Sequence, residues 1–508
     1  MTAFILVSGT FTGGYVWEET AARLTAAGAE AHAVTLTGLG ERRAAAGPGT
    51  DLETHIADVL AAIDAVDADR DLVLVGHDYG IHPVLGAADR RAERVERVVY
   101  VDAGMPMDGV PALAAVPDQE LREELTRLAE RGGEAAAGLL PAPADAAGWQ
   151  RWGSTAGVTD QALERLTRLA APQPLGTLLQ PLNLTEAIAT VPTSAVLCSG
   201  NGAGIELVQS FVNLGHPALQ ALVDPRVSFF ELATGHWPML SSPVELAGAL
   251  LAAAAGEGHR LTPADEELPT YLRPFPLEVP DVPRERTGNV DLYVPEATGD
   301  GPLPAVLFVH GGPVPADARP TPRDWPVFTG YARLAAHEGV VGAVLDHRLH
   351  DIADYPLAAR DVAAAVDSLR ADPRVDADRI ALWYFSGGSL LCAEWLGAPP
   401  AWLRCVAATY PVMVPMPNWG LGGSRFRPVD AVPEAGDLPI VLTRVGLEVA
   451  EIATTVEEFL AAAKDCGAEV EVIDLPDGHH GFETRDPGDG SREAIRRALG
   501  SVLAHLRA

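Results

Sequence analysis

Residues 379–396 read RIALWYFSGGSLLCAEWL, and the rest of the chain is best understood outward from them. The run ALWYF has the length and aromatic content of a buried strand, SLLCAEWL can continue as a helix, and Ser386 followed by Gly387 stands between. A serine on so tight a strand-to-helix turn is a nucleophile elbow: small flanking residues permit a strained backbone that lifts the hydroxyl above the sheet. The first turn position, Tyr384 rather than glycine, is the irregularity. DLVLVGHDYGIHPVLGAADR, residues 71–90, repeats the same grammar upstream with Asp78 at the serine position.

Around both stretches, short apolar runs alternate with Ala/Leu/Glu/Arg-rich helical segments, first FILV, RVVYVDA, SAVLCSG and VSFFEL, later AVLFVHGG, VVGAVLDH, CVAATYP, PIVLTRVG and EVEVIDL. Such alternation predicts a mostly parallel sheet covered by helices. It stops in the polar, Pro-rich stretch after residue 258 and then restarts with a full set of strands. The expectation is two tandem α/β domains, 1–258 and 276–508, joined by a linker at 259–275. From elbow to late histidine the first half has the longer path, which leaves room for a helical cap at about 104–189, with no strand expected inside it.

Composition narrows the function. Acidic residues outnumber basic ones 69 to 37, a formal charge of -32 that repels nucleic-acid phosphates and anionic lipid. The apolar stretch Leu246–Ala255 is shorter than the roughly 18 residues a membrane span needs. The opening MTAFILVSGTF reads as a strand rather than a leader, and four scattered cysteines without a C-x-x-C pair suit a reducing cytoplasm. The expected partner is a small molecule; oligomeric state is left open. The glycine pairs Gly13-Gly14 and Gly422-Gly423 match no phosphate-binding pattern, and no zinc-type spacing of His and Cys occurs, so no cofactor or metal is expected.

In the second half, His310-Gly311-Gly312 follows strand AVLFV; backbone N–H groups of Gly311 and Gly312 with that of Gly387 form an expected oxyanion hole. His480, directly before Gly-Phe, is the expected base for Ser386, with His479 as the other candidate. The orienting acid is expected after PIVLTRVG, at Glu448 or, failing that, Glu451. Trp419 and Arg425 are expected on a segment overhanging Ser386. Through HGG, the F-S-G-G elbow, R-x-G-L-[acid] and H-G-F, about residues 275–505 resemble the dienelactone hydrolase-like branch of the α/β-hydrolases. The namesake enzymes have Cys where this chain has Ser386, and many relatives have Asp where Glu448 stands. The resemblance therefore implies a serine esterase or lactonase acting on an ester or lactone.

In the first half the elbow residue is a carboxylate, and G-H-D-aromatic-G resembles the elbow of haloalkane dehalogenases and epoxide hydrolases. Such an Asp attacks an sp3 carbon, and a His-activated water cleaves the resulting ester. The segments SGTFTGGYVWEETAARLTAAG, VTLTGLGER and TGHWPMLSSPVELA instead resemble the hydroxynitrile lyase and plant-esterase type, over nearly all of 1–255. That group carries Ser at the position of Asp78, His at Ser8 and usually Asp at Asn201. His236 remains, with Asp102 or, more weakly, Glu206 to orient it, and Gly9, Thr10 and Tyr79 at oxyanion or substrate-binding positions. Trp149 and Trp152 are the indole N–H groups available for a halide. A working Asp78/His236 hydrolase and a non-catalytic binding domain are both compatible with these residues.

Overall fold

A computed structural model describes residues 1–131, 138–213, 217–263, 268–295 and 301–508. The chain divides into two units, one of Met1–Gln209, Ala218–Pro263 and Met416–Gly422, the other of Ser210–Pro217, Ala264–Pro415 and Gly423–Ala508.

The first unit has strands β1 (Thr2–Val7), β2 (Glu30–Val34), β3 (Asp71–His77), β4 (Val95–Val101), β5 (Leu139–Leu140), β6 (Gln173–Pro174), β7 (Thr193–Cys198) and β8 (Val227–Leu232). Six of them form a parallel sheet in the order β2-β1-β3-β4-β7-β8. The central strands are continuous apolar runs because helices cover both faces: Phe4 to Val7 and Leu72 to Val75 have no exposed surface. The register pairs Val7 with Gly76 and His77 with Val101, so the loops after β1 and β4 flank the Asp78 turn.

The second unit has β9 (Arg284–Thr287), β10 (Val290–Tyr293), β11 (Leu303–Val309), β12 (Val341–Leu345), β13 (Val375–Phe385), β14 (Leu403–Thr409), β15 (Ile440–Leu447) and β16 (Val470–His479). Their order is β16-β15-β14-β13-β11-β12-β10-β9, parallel except where β10 meets β12 and β9. Val309 pairs with Tyr384 and Phe385 with Thr409, which sets the HGG loop beside the Ser386 turn. Trp383 is fully buried, and its indole N–H donates to Thr409 Oγ1 at 2.8 Å, so the aromatic bulk is gained without an orphaned polar group.

Two expectations need correction, and the segment expected as a linker has contacts at its ends. The segment 259–275 is tied down at both ends: His259 exchanges backbone hydrogen bonds with Phe229 at 2.7 and 2.9 Å, and Phe275 packs on Tyr331 with ring centroids 5.1 Å apart. Its residues 264–267 lie outside the described residues. The cap region, of which 132–137 lie outside the described residues, carries helices Gln119–Arg131, Ala146–Gln150, Asp160–Leu169 and Leu175–Leu179, but also the two-stranded β5–β6 pair that was not expected. Two residues per strand are too few to leave a period-2 signal. Finally, the chain after Ser386 winds as a 3-10 helix through Cys392 before the short α-helix Ala393–Gly397. At the corresponding point of the first unit a Cβ on Gly76 would lie 2.6 Å from Ile81 Cα, so the close helix there depends on a missing side chain. Tyr384 carries one at the matching position of the second unit.

Candidate active sites

Both elbows have the backbone the motif requires: φ is +48° at Asp78 and +51° at Ser386, a left-handed conformation that costs a non-glycine residue about 1–3 kcal/mol. Close approach explains the glycines around Ser386. A Cβ on Gly387 would sit 2.4 Å from Gly312 O, one on Gly388 2.2 Å from His310 O, and one on Gly311 2.9 Å from Ser386 Cβ. The HGG loop and the turn are thus packed backbone against backbone.

Ser386 Oγ lies 2.7 Å from His480 Nε2, and His480 Nδ1 lies 2.7 Å from Glu448 Oε2. With the imidazole proton on Nδ1 donated to Glu448, Nε2 is left to accept from the serine hydroxyl. The His480 and Glu448 side chains are 11% and 5% exposed, which keeps water from competing for these bonds. His479 turns away and bonds Asp486 through Nδ1 at 3.1 Å, while Glu451 lies on the helix Ala450–Cys466. The amides of Gly311, Gly312 and Gly387 have no protein acceptor among the described residues, and Tyr355 Oη donates to Gly387 O at 2.8 Å.

Two histidines, one of them named in the HGG loop but given no role by the sequence, shape that loop. His310 and His347 stack with ring centroids 3.6 Å apart, and the His347 ring N–H at Nε2 donates to His310 O at 2.9 Å. Burial holds His310 well below the ordinary histidine range and His347 at about 4, so both are neutral at pH 7. A cavity of about 420 Å³ opens over the site, lined by Ser386, His480, Gly311 and Gly312 with the rings of Trp325, Phe328, Phe385 and Tyr410. Trp419 and Arg425 do not line it; Arg425 ion-pairs with Glu394 at 2.8 Å.

The first site keeps a carboxylate on the histidine Nδ1 but differs at the elbow residue. Asp78 Oδ2 accepts from the Thr10 amide at 2.9 Å and from Thr10 Oγ1 at 2.6 Å. The loop after β1 therefore gives its donors to the elbow residue itself. Gly9 is what lets it do so, since a Cβ there would lie 2.8 Å from Asp78 Oδ2. Burial alone would raise the Asp78 carboxyl, but the charges of His236 and His77 and the two bonds from Thr10 outweigh it and hold the group below the usual carboxylate range. His236 Nδ1 lies 2.6 Å from Asp102 Oδ2, both side chains nearly buried at 6% and 5% exposure, and Asn201 Nδ2 donates to the same oxygen at 2.7 Å. Asp102, itself at φ +42°, thus stands against His236 where Glu206 was the other candidate. Burial lowers His236, yet the bond and charge of Asp102, followed by Asp78, carry it above its ordinary value. No hydrogen bond joins His236 to Asp78 among the described residues; their nearness is electrostatic.

Two expected contributors are spent elsewhere. Tyr79 is buried with its hydroxyl 2.8 Å from His55 Nδ1, so only its amide faces the turn. The Trp149 indole N–H donates to Thr167 Oγ1 at 2.9 Å, which takes that donor away from a halide. The cap nevertheless touches the site: His236 N donates to Ser154 O at 2.7 Å, and a Cβ on Gly153 would overlap the His236 ring at 2.5 Å. Among the described residues no cluster of three His, Cys, Asp or Glu is placed to hold a metal ion, and no helix is long and apolar enough to cross a membrane.

Comparison with known proteins follows this geometry. The alpha/beta hydrolase family model matches residues 4–249. The chain is 34% identical over 260 residues to the carbendazim hydrolyzing esterase of Nocardioides sp. (strain SG-4G), covering 50% of this chain and 99% of that protein. It is 36% identical over 107 residues to esterase PIR7B of Oryza sativa subsp. japonica, 21% of this chain and 40% of that protein. Among solved structures it is similar to the methylesterase MES16 from Arabidopsis at 17% identity and a TM-score of 0.37, covering 51% of this chain and 100% of the other. The match over nearly the whole length of the first of these proteins identifies the chain as an enzyme of the alpha/beta hydrolase family.

Proposed function

We propose that the chain hydrolyses a carboxylic ester or lactone of a small organic molecule at Ser386, with His480 as base and acid, Glu448 as the orienting carboxylate, and the amides of Gly311, Gly312 and Gly387 as the oxyanion hole. The observation that carries this reading is the unbroken chain of two 2.7 Å contacts from Ser386 Oγ through His480 to Glu448. Ser386 Oγ attacks the carbonyl carbon as His480 Nε2 takes its proton, and the carbonyl electrons move to an oxyanion met by the free amides. Collapse breaks the bond to the leaving alkoxide, which receives the proton from His480. Water, deprotonated by the same nitrogen, then attacks the acyl-enzyme, and its collapse frees a carboxylic acid and restores the serine. The relatives, an esterase named for hydrolysing carbendazim and a rice esterase, support ester-type chemistry through the first half of the chain, whereas the Ser386 site rests on its own geometry. A fluorophosphonate probe tests the site: one adduct is expected on Ser386 and none in Ser386→Ala. Labelling that is unchanged by the substitution overturns the assignment.

The grip of Thr10 on Asp78 favours a second activity in the first unit. One carboxylate oxygen, Oδ2, already rests on the donors that would hold the oxyanion when water cleaves an ester formed at Oδ1. Attack of Oδ1 on an sp3 carbon would form that ester and expel the leaving group with its electron pair. His236, backed by Asp102, would deprotonate the water. Turnover of an epoxide or haloalkane in 18O-labelled water should place label in the Asp78 peptide; product formation with an unlabelled Asp78 rules the route out.

A further inference from the structure

Glu483 belongs to neither catalytic set, yet it lines the same cavity as Ser386 and His480. It lies on the short helix Phe482–Arg485, one turn beyond His480, and is 1% exposed. Oε1 accepts from Tyr331 Oη at 2.9 Å, and the Tyr410 hydroxyl also interacts with the carboxyl, although Oε2 makes no hydrogen bond of full geometry. Burial pushes this carboxyl up to about 7, against the opposing pull of its own backbone, of Tyr331 and Tyr410, and of His480. An acid in a low-dielectric wall with only tyrosine hydroxyls beside it and no cation is costly, and packing alone would be served as well by an apolar residue. Its environment lacks a counter-charge: no ion pair reaches Glu483 among the described residues.

The remaining walls are suited to supply the rest of a cation site. Trp325, Phe328, Phe385 and Tyr410 present aromatic surface to the cavity, and ring faces attract an ammonium group. The Tyr410 ring sits 4.7 Å from that of His480 and lines the same cavity as Ser386 and Glu483. The chain as a whole, at a formal charge of -32, draws cations toward it. Resting on the Ser386 triad as the hydrolytic site, we infer that Glu483 receives a protonated amine on the acyl portion of the substrate, so that this site is built for amino-acyl esters. The amine takes no part in bond making. It fixes the acyl chain so that the carbonyl carbon meets Ser386 Oγ.

The test uses the full chain and methyl esters matched in length: β-alanine against butanoate, 4-aminobutanoate against pentanoate, 6-aminohexanoate against heptanoate, followed by acid release. At about pH 8 the amine ester of the best length should exceed its neutral match in kcat/KM by about tenfold or more. Glu483→Gln, which keeps the shape and a partner for Tyr331, should shrink that ratio by about tenfold, chiefly through KM. Lowering the pH to about 5.5 should shrink it in the unmodified protein, because the carboxyl then carries a proton and no charge. n-Butylammonium should also slow fluorophosphonate labelling of Ser386, a readout that needs no variant. Equal kcat/KM for both members of every pair, with Ser386 labelled normally, overturns the amine site and leaves the triad standing. Equal losses on both esters in Glu483→Gln likewise assign the residue to structure alone. A Ser386 that takes no label removes the triad reading and this inference with it.

Discussion

The two elbows of this chain share a backbone and differ in what the donors beside them hold. At Ser386 the hydroxyl faces His480 and the amides of Gly311, Gly312 and Gly387 stay unpaired. At Asp78 the carboxylate has turned into the matching donors, and Thr10 binds it through both its amide and its hydroxyl. The histidines differ as well, since His236 is braced by a carboxylate from the loop after β4 and His480 by one from the end of β15. One backbone solution therefore supports an arrangement ready for acyl transfer and another in which that chemistry has no free nucleophilic hydroxyl. On the proposed reading, the side chain at one strained position, and the groups it leaves available, would decide which chemistry each unit performs.

That contrast breaks most directly at Ser386. Ser386→Ala should lower ester hydrolysis by about 10⁴-fold or more, measured as kcat against a chromogenic ester, because it removes the atom that forms the acyl-enzyme. Glu448→Gln should cost somewhat less, about 10²- to 10⁴-fold, by losing the tautomer that leaves Nε2 free. Labelling unchanged by either substitution would move the chemistry elsewhere. In the Ser386→Ala background, Asp78→Ser asks the converse question. It frees the Thr10 donors and puts a hydroxyl near His236, so a fluorophosphonate should now form an adduct in the first unit where the parent forms none.

The smallest effect concerns stability. Thr10→Val removes a 2.6 Å bond to a buried carboxylate, and such bonds are worth about 1.5–3 kcal/mol. The Asp78 carboxyl is held below its ordinary value, so its contribution is complete above the unfolded-state pKa of about 3.9 and fades as pH falls through the folded-state value. The gap in unfolding free energy between Thr10→Val and the parent should be full near neutral pH and close in acid. A gap that does not vary with pH would mean the hydroxyl stabilises something other than the charge.

What the sequence carried and what it did not follow from the range of each interaction. Apolar runs, glycine spacing and the turn residues are local, which is why both elbows, the HGG loop and the alternating architecture could be read directly. The pairing of His480 with Ser386 was legible because few histidines follow a late strand, although only the fold separates it from His479, which bonds Asp486. Thr10 and Asp78 are 68 positions apart, and Asp102 and His236 are 134 apart. Nothing local distinguishes those contacts from alternatives such as Glu206. The stacked His310 and His347, and Glu483 behind Tyr331, were invisible because a buried polar residue looks like any surface one until the packing around it is known. Tyr384 did leave a signal, standing where the first elbow has Gly76, whereas the 3-10 winding after Ser386 left none.

The central assignment is tested most directly by acid-quenching the full chain during turnover of a chromogenic ester and mapping the covalent acyl group by mass spectrometry. A stoichiometric burst of alcohol with the acyl group on Ser386, and neither in Ser386→Ala, is the predicted result. Hydrolysis that continues with no acyl adduct on the 379–396 segment would contradict it.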